Sequence, residues 1–93
     1  KQQFSRVVYI EYPRAGSWAL AFVTGDAHVP AEFGKKRHLN VYVPTTPNPT
    51  SGFHLIVAEA DVRDSGLSVE NAFKTILSLG IAQSESKDVG GEA

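Results

Sequence analysis

Hydroxyl and imidazole side chains crowd into one stretch of this chain, where Thr45, Thr46, Thr50 and Ser51 run up to His54. A serine or threonine becomes a nucleophile when a base lies within hydrogen-bond reach and a third group orients that base. Strand alternation sends Ser51 and His54 to opposite faces, and the strained G-x-S-x-G elbow that would present a serine is missing. The chain therefore reads as non-enzymatic. His28, His38 and His54, with Asp26 and Glu32, supply metal-ligating atom types, but their spacings match no familiar site. They read as scattered or hydrogen-bonded side chains, and neither metal nor cofactor is expected. With zero cysteines there is also no disulfide, thiolate ligand or thiol nucleophile.

Binding chemistry has better candidates. In VPTTPNPTSG, Val43 to Gly52, prolines 44, 47 and 49 fix their own φ and push the residues before them toward extended conformations. Two readings stay open. One is a rigid connector packed across the end of a barrel, with Pro47 or Pro49 as a place for a cis bond. The other is a preorganised recognition loop in which Thr45, Thr46, Asn48, Thr50 and Ser51 hydrogen-bond a partner, a lipid head group or another ligand. N-glycosylation is excluded at Asn48, because Pro49 occupies the middle of the triplet.

Two further sites stand beside it. Arg14, between Pro13 and Gly16, either caps a turn or joins Trp18 in offering an anion contact beside an aromatic anchor; Trp18 alone would be a core residue. Lys35, Lys36 and Arg37 form a basic run that is either a solvated loop or a contact for anionic lipid head groups.

Positioning these residues takes a scaffold, and alternation outlines it. FSRVVYIEY, from Phe4 to Tyr12, carries apolar groups on both faces, so this strand is expected to be covered twice. PRAGS is a hairpin-length turn into WALAFVTG, where Trp18, Leu20 and Phe22 share a face and Ala19 and Ala21 share the other, small enough for close approach by another element. Gly25 closes that strand, and Asp26 to His38 reads as a mobile loop. Leu39 to Val43 is a third strand ended by Pro44. FHLIVAEA, from Phe53 to Ala60, is a fourth, with Phe53, Leu55 and Val57 opposed to His54, Ile56 and Ala58, and a turn-like ADVRDSG with room for one helical turn follows. Ser68 then caps a helix with Glu70 in its first turn, Val69, Ala72, Phe73, Ile76 and Leu77 on one face, and Gly80 at the stop.

The chain has 93 residues, which bounds it to one domain, placed at residues 1–82 with a disordered polar tail at 83–93. Nine Lys and Arg against ten Asp and Glu leave a net charge of -1, which argues against nucleic acid as partner. No apolar run reaches the roughly 20 residues that span a bilayer, so the chain reads as soluble. The start at KQQF without any methionine leads to the expectation that residue 1 is not the start of the gene product.

Two stretches, YPRAGSWALAFVTG (Tyr12 to Gly25) and VYVPTTPNPTSGFHLIV (Val41 to Val57), resemble the signature of a family of membrane proteins of unknown function that includes the plant continuous vascular ring proteins. LSVENAFKTILSLGI is similar to that family's closing segment, so the resemblance spans residues 1 to 81; Ala21 departs from it, standing where the family carries glycine. The resemblance implies two membrane helices upstream of a soluble domain, with this chain as that domain, on the cytoplasmic side. It implies no established activity, and the vascular patterning of plant relatives transfers to no residue here.

The expected fold is α+β and β-rich: four to five antiparallel strands in a small barrel or sandwich, with one C-terminal helix. The expected function is a non-enzymatic domain of a membrane protein that mediates protein interaction or oligomerisation, through a patch of Arg14, Trp18 and the connector hydroxyls. The alternative is a domain that binds a small molecule or lipid head group and regulates attached membrane helices. A third reading, an oligonucleotide-binding barrel, has only the fold and the basic run near Phe33 to support it.

Overall fold

The computed structural model describes residues 6–82. Phe4 at the start of the first expected strand and the expected tail at 83–93 lie outside them. Five antiparallel strands form one sheet in the order β4-β3-β2-β1-β5: β1 is Arg6–Glu11, β2 Trp18–Ala27, β3 His38–Pro44, β4 Gly52–Ala58 and β5 Arg63–Asp64. One helix, α1 (Val69–Leu77), follows. The β-rich α+β class, the strand number and the C-terminal helix are as read from the sequence. The sheet does not close into a barrel or pair with a second sheet, because β4 and β5 remain at opposite edges.

Both faces are nevertheless buried, for different reasons. On one face Val7 and Phe22 pack against Ala72 and Ile76 of the helix, and the Phe22 and Phe73 rings lie 5.3 Å apart. The other face gathers Val8, Ile10, Ala21, Val23, Leu39, Val41 and Val43 with Val62. Among the described residues no helix covers that second face; it buries itself by curling. Ala19 and Ala21 lie opposite Ile10 and Val8 of β1 and pack in this cluster. β2 serves two partners, Arg6–Glu11 along Trp18–Val23 and His38–Tyr42 along Phe22–Ala27, with a register shift on the β3 side between Val23 and Gly25.

Three boundaries differ from the sequence reading. β2 runs through Gly25 to Ala27, because the bulge absorbs the glycine instead of ending the strand. The segment expected as a loop thus keeps Asp26, Ala27 and His38 in strands and holds a 3-10 turn at Ala31–Phe33. β4 stops at Ala58, two residues short of the expected strand end, because Glu59–Asp61 turns there as a 3-10 helix, and Arg63–Asp64 then adds a fifth strand on β1.

At the helix start, the Ser68 hydroxyl accepts from the Asn71 N–H at 3.0 Å. The helix ends one residue earlier than expected: Leu79 is the first residue past the cap and takes a left-handed φ of 60°, and Gly80 after it is also at positive φ, 89°. Gly80 N then donates to Thr75 O at 2.8 Å and Leu79 N to Ile76 O at 3.3 Å, the paired bonds of a Schellman ending. No helix of the described residues is long and apolar enough to cross a membrane.

Candidate functional site

Antiparallel order decides where the candidate residues go. The β1–β2 turn and the β3–β4 connector leave from the same end of the sheet, and α1 finishes there too. Around this end lies an open groove of about 580 Å³. Tyr12, Trp18 and Phe53 line it from the strand ends, Thr45 and Thr46 from the connector, and Ile76, Leu79 and Gly80 from the helix. The wall is largely apolar and half open: Trp18 is 49% exposed, Phe53 38% and Leu79 62%. Trp18 is therefore a rim residue rather than a core one.

The connector divides into two kinds of residue. Thr45 N donates to Ser51 O at 2.9 Å, closing the loop, and the Thr45 hydroxyl donates to Asn48 O at 2.5 Å and lies 3.2 Å from the Ser51 hydroxyl. Asn48 Oδ1 in turn accepts from the Thr50 hydroxyl at 2.6 Å. These four side chains are used inside the loop, and Tyr42 ties it down from the sheet by donating to Pro49 O at 2.6 Å. Thr46 alone of the connector hydroxyls both lines the groove and stays clear of that network as described; its peptide bond to Pro47 is cis.

Gly52 completes the arrangement. A Cβ there would run into Val43 O, Pro44 Cα and the Tyr42 ring, so only glycine lets β4 start this close to β3.

Arg14 does not line the groove. It sits exposed in the adjoining turn, which is held by Tyr12 N to Ser17 O at 2.9 Å, by Ser17 N to Arg14 O at 3.1 Å and by Gly16 N to the Glu11 carboxylate at 3.2 Å. The groove thus brings together Trp18, Thr45 and Thr46 of the residues read from the sequence. Thr75, Ile76 and Leu79 were missed, because a helical stripe signals packing whether or not its end also borders a groove.

The other chemical candidates separate. His54 Nε2 lies 2.8 Å from Asn40 Oδ1, while the Ser51 hydroxyl faces Thr45, so the two do not form a base and nucleophile pair. Among the described residues no group of three His, Asp or Glu gathers in a way that could hold a metal.

The basic run lies at the opposite end of the sheet, beside a shallow recess that includes His28, Lys35 and Lys36. There the run does not act as three free cations. Arg37 pairs with Asp26 at 2.6 Å and with Glu59 at 3.1 Å, bracing the β2–β3 loop against the end of β4. The hydrogen bond that Arg37 donates to Asp26, then the charges of Asp26 and Glu59, raise the Arg37 pKa above its ordinary value. Its positive charge is therefore retained at every working pH, but it is already committed. Lys35 and Lys36 remain exposed.

A family model described as "Protein of unknown function (DUF502)" matches residues 1–51, more than half of the chain. The chain belongs to the DUF502 family. The matched span holds β1 to β3 and both loops of the groove up to Ser51, whereas Phe53 and the helix side of the groove fall beyond it. No curated protein and no solved structure matches the chain.

Proposed function

We propose that this DUF502 chain is a non-enzymatic interaction domain carried by a membrane protein, and that the groove at its loop end grips an apolar side chain or short segment of a protein partner. The observation that carries this reading is the gathering of Trp18, Phe53 and Leu79, all partly exposed, around one groove built by two loops and a helix end. Exposed aromatic residues at the rim of a preformed apolar recess are the composition of binding hot spots. The connector's internal hydrogen bonds preorganise the rim, so little ordering would oppose binding.

Membrane attachment rests on the resemblance to the vascular ring family, and the sheet offers a consistent orientation. β1 is entered at Arg6 from the end that also carries Lys35 and Lys36. Upstream membrane helices at that end would set the two lysines near anionic head groups on the cytoplasmic side, and turn the groove away from the bilayer.

The test is capture from detergent-solubilised membranes of the source cells with the immobilised chain. Trp18→Ser should abolish capture of a discrete protein while the thermal unfolding of the chain stays unchanged. Equal capture by the folded variant would remove the groove from the reading.

A second reading, a small-molecule or lipid-head-group site, is supported by the groove's volume, about 580 Å³, which falls within the ordinary range for ligand pockets. A ligand at a hundred times its dissociation constant would stabilise the chain by roughly 2.7 kcal/mol, and silence across lipid head groups, nucleotides and anions would count against it.

A further inference from the structure

β4 is the outer strand of the sheet and pairs with β3 along its whole length, from Pro44↔Gly52 to His38↔Ala58, without a bulge. Among the described residues no strand pairs with its other side. An edge strand offers a row of unpaired backbone N–H and C=O groups, and folded proteins guard it with charge, proline, a bulge or brevity.

The opposite edge is guarded in this way. β5 is two residues long, Arg63–Asp64, both charged, with Asp64 held to Arg6 at 2.9 Å. β4 has none of these devices. Its seven residues, GFHLIVA, include no Asp, Glu, Lys, Arg or Pro, and Ile56 in mid-strand is 43% exposed. A six-residue window this rich in β-formers and free of formal charge is a strong template for strand addition.

We infer that β4 docks a second copy of this chain, adding strand to strand in antiparallel sense about a two-fold axis at Leu55, so that one continuous sheet runs through both copies. The register follows from the faces. A two-fold axis pairs residues whose numbers have a constant sum, and the concave face stays continuous only if the axis passes through a residue. Leu55 is the midpoint of Gly52–Ala58. About that point Phe53 lies opposite Val57 and Leu55 opposite its own mate on the concave face, with His54 opposite Ile56 on the other.

Two observations favour a second copy over a foreign strand. No like charges meet in this register, where a charged residue opposite its own mate would oppose self-pairing. Leu55 and Val57 are half-buried and already pack on the Val8, Ile10 and Val41 cluster, so the second copy prolongs an existing core. The resulting contact is isologous, the commonest form of homodimer. It uses a surface separate from the groove except at Phe53, and it stands whether or not the groove binds a partner.

The chain has zero cysteines, which makes single-cysteine crosslinking clean. Leu55→Cys should form a disulfide dimer under mild oxidation at least about tenfold faster than His54→Cys or Ile56→Cys, whose mates lie on the diagonal, about 7–8 Å away, beyond easy disulfide reach. Sedimentation of the unmodified chain should show concentration-dependent dimer at up to about 1 mM protein, where even a millimolar dimer is substantially formed. Ile56→Lys, a change at an exposed position, should return it to monomer with the fold intact. A monomer at that concentration, equal crosslinking at all three positions, or a dimer indifferent to Ile56→Lys would each overturn the inference.

Discussion

Tyr12 and Phe53 meet ring to ring, with centroids 5.2 Å apart and planes tilted by 51°, although β2 and β3 lie between β1, which Tyr12 directly follows, and β4, which carries Phe53. In a flat sheet three strand spacings would hold these positions about 14 Å apart. The contact therefore reports the curl that buries the concave face, and it also builds one wall of the groove. Core and candidate site share this pair.

Replacing the rings should show it. In a double-mutant cycle of Tyr12→Ala and Phe53→Ala, followed by urea unfolding, the coupling is expected at about 0.5–1.5 kcal/mol, the range for aromatic pairs. Additive losses would mean that the curl is held elsewhere.

Ser65 is the buried polar residue of the described chain and is 2% exposed. Its hydroxyl donates to Val7 O at 2.8 Å and accepts from Leu67 N at 3.0 Å, joining β1 to the segment that leads into the helix. Ser65→Ala leaves Leu67 N–H without its partner and is expected to destabilise by about 1–3 kcal/mol, read from chemical denaturation. Ser65→Thr, which keeps the hydroxyl, should recover part of the loss if the methyl is accommodated.

Leu79 separates stability from binding. A leucine at φ 60° costs roughly 1–2 kcal/mol relative to right-handed backbone, and glycine there gives back about 0.5–1 kcal/mol of unfolded-chain entropy. Since the side chain is mostly exposed, Leu79→Gly should raise stability by up to about 1 kcal/mol. In the proposed function the same change weakens partner capture. A stabilised variant that binds as before would detach Leu79 from the site.

At Gly52 the direction reverses. Gly52→Ala puts a methyl against Val43 O and the Tyr42 ring, and the expected loss is about 1–3 kcal/mol, measured by thermal or urea unfolding. A neutral substitution would mean that β4 can draw back from β3 at its start.

Much of the scaffold was legible because alternation is strong where both faces are buried: Val7, Val8 and Ile10, then Ala21, Phe22 and Val23, identify β1 and β2 without any partner in view. Ser68 and the stripe through Ala72 and Ile76 did the same for the helix. β5 was not legible, since two charged residues carry no period, and their place on β1 depends on contacts such as Arg6 with Asp64. Gly25 misled because a bulge and a strand end favour the same residue.

The candidate site was legible in its residues and not in its geometry. Trp18, Thr45 and Thr46 stand out by type, but only antiparallel order brings their two loops to one end. Arg14 and Arg37 look alike as exposed cations in the sequence. In the fold one stands free of the groove wall and the other is bound by Asp26 and Glu59.

The central claim, that the groove is where this domain meets a partner, is tested most directly by site-specific photo-crosslinking in cells expressing the full-length protein. A benzoylphenylalanine placed at Leu79 should yield a discrete adduct that Trp18→Ser removes, while the same probe at Asp61, exposed at the opposite end of the sheet, should not yield that adduct. The same adduct from both positions, or none from Leu79, would contradict the account.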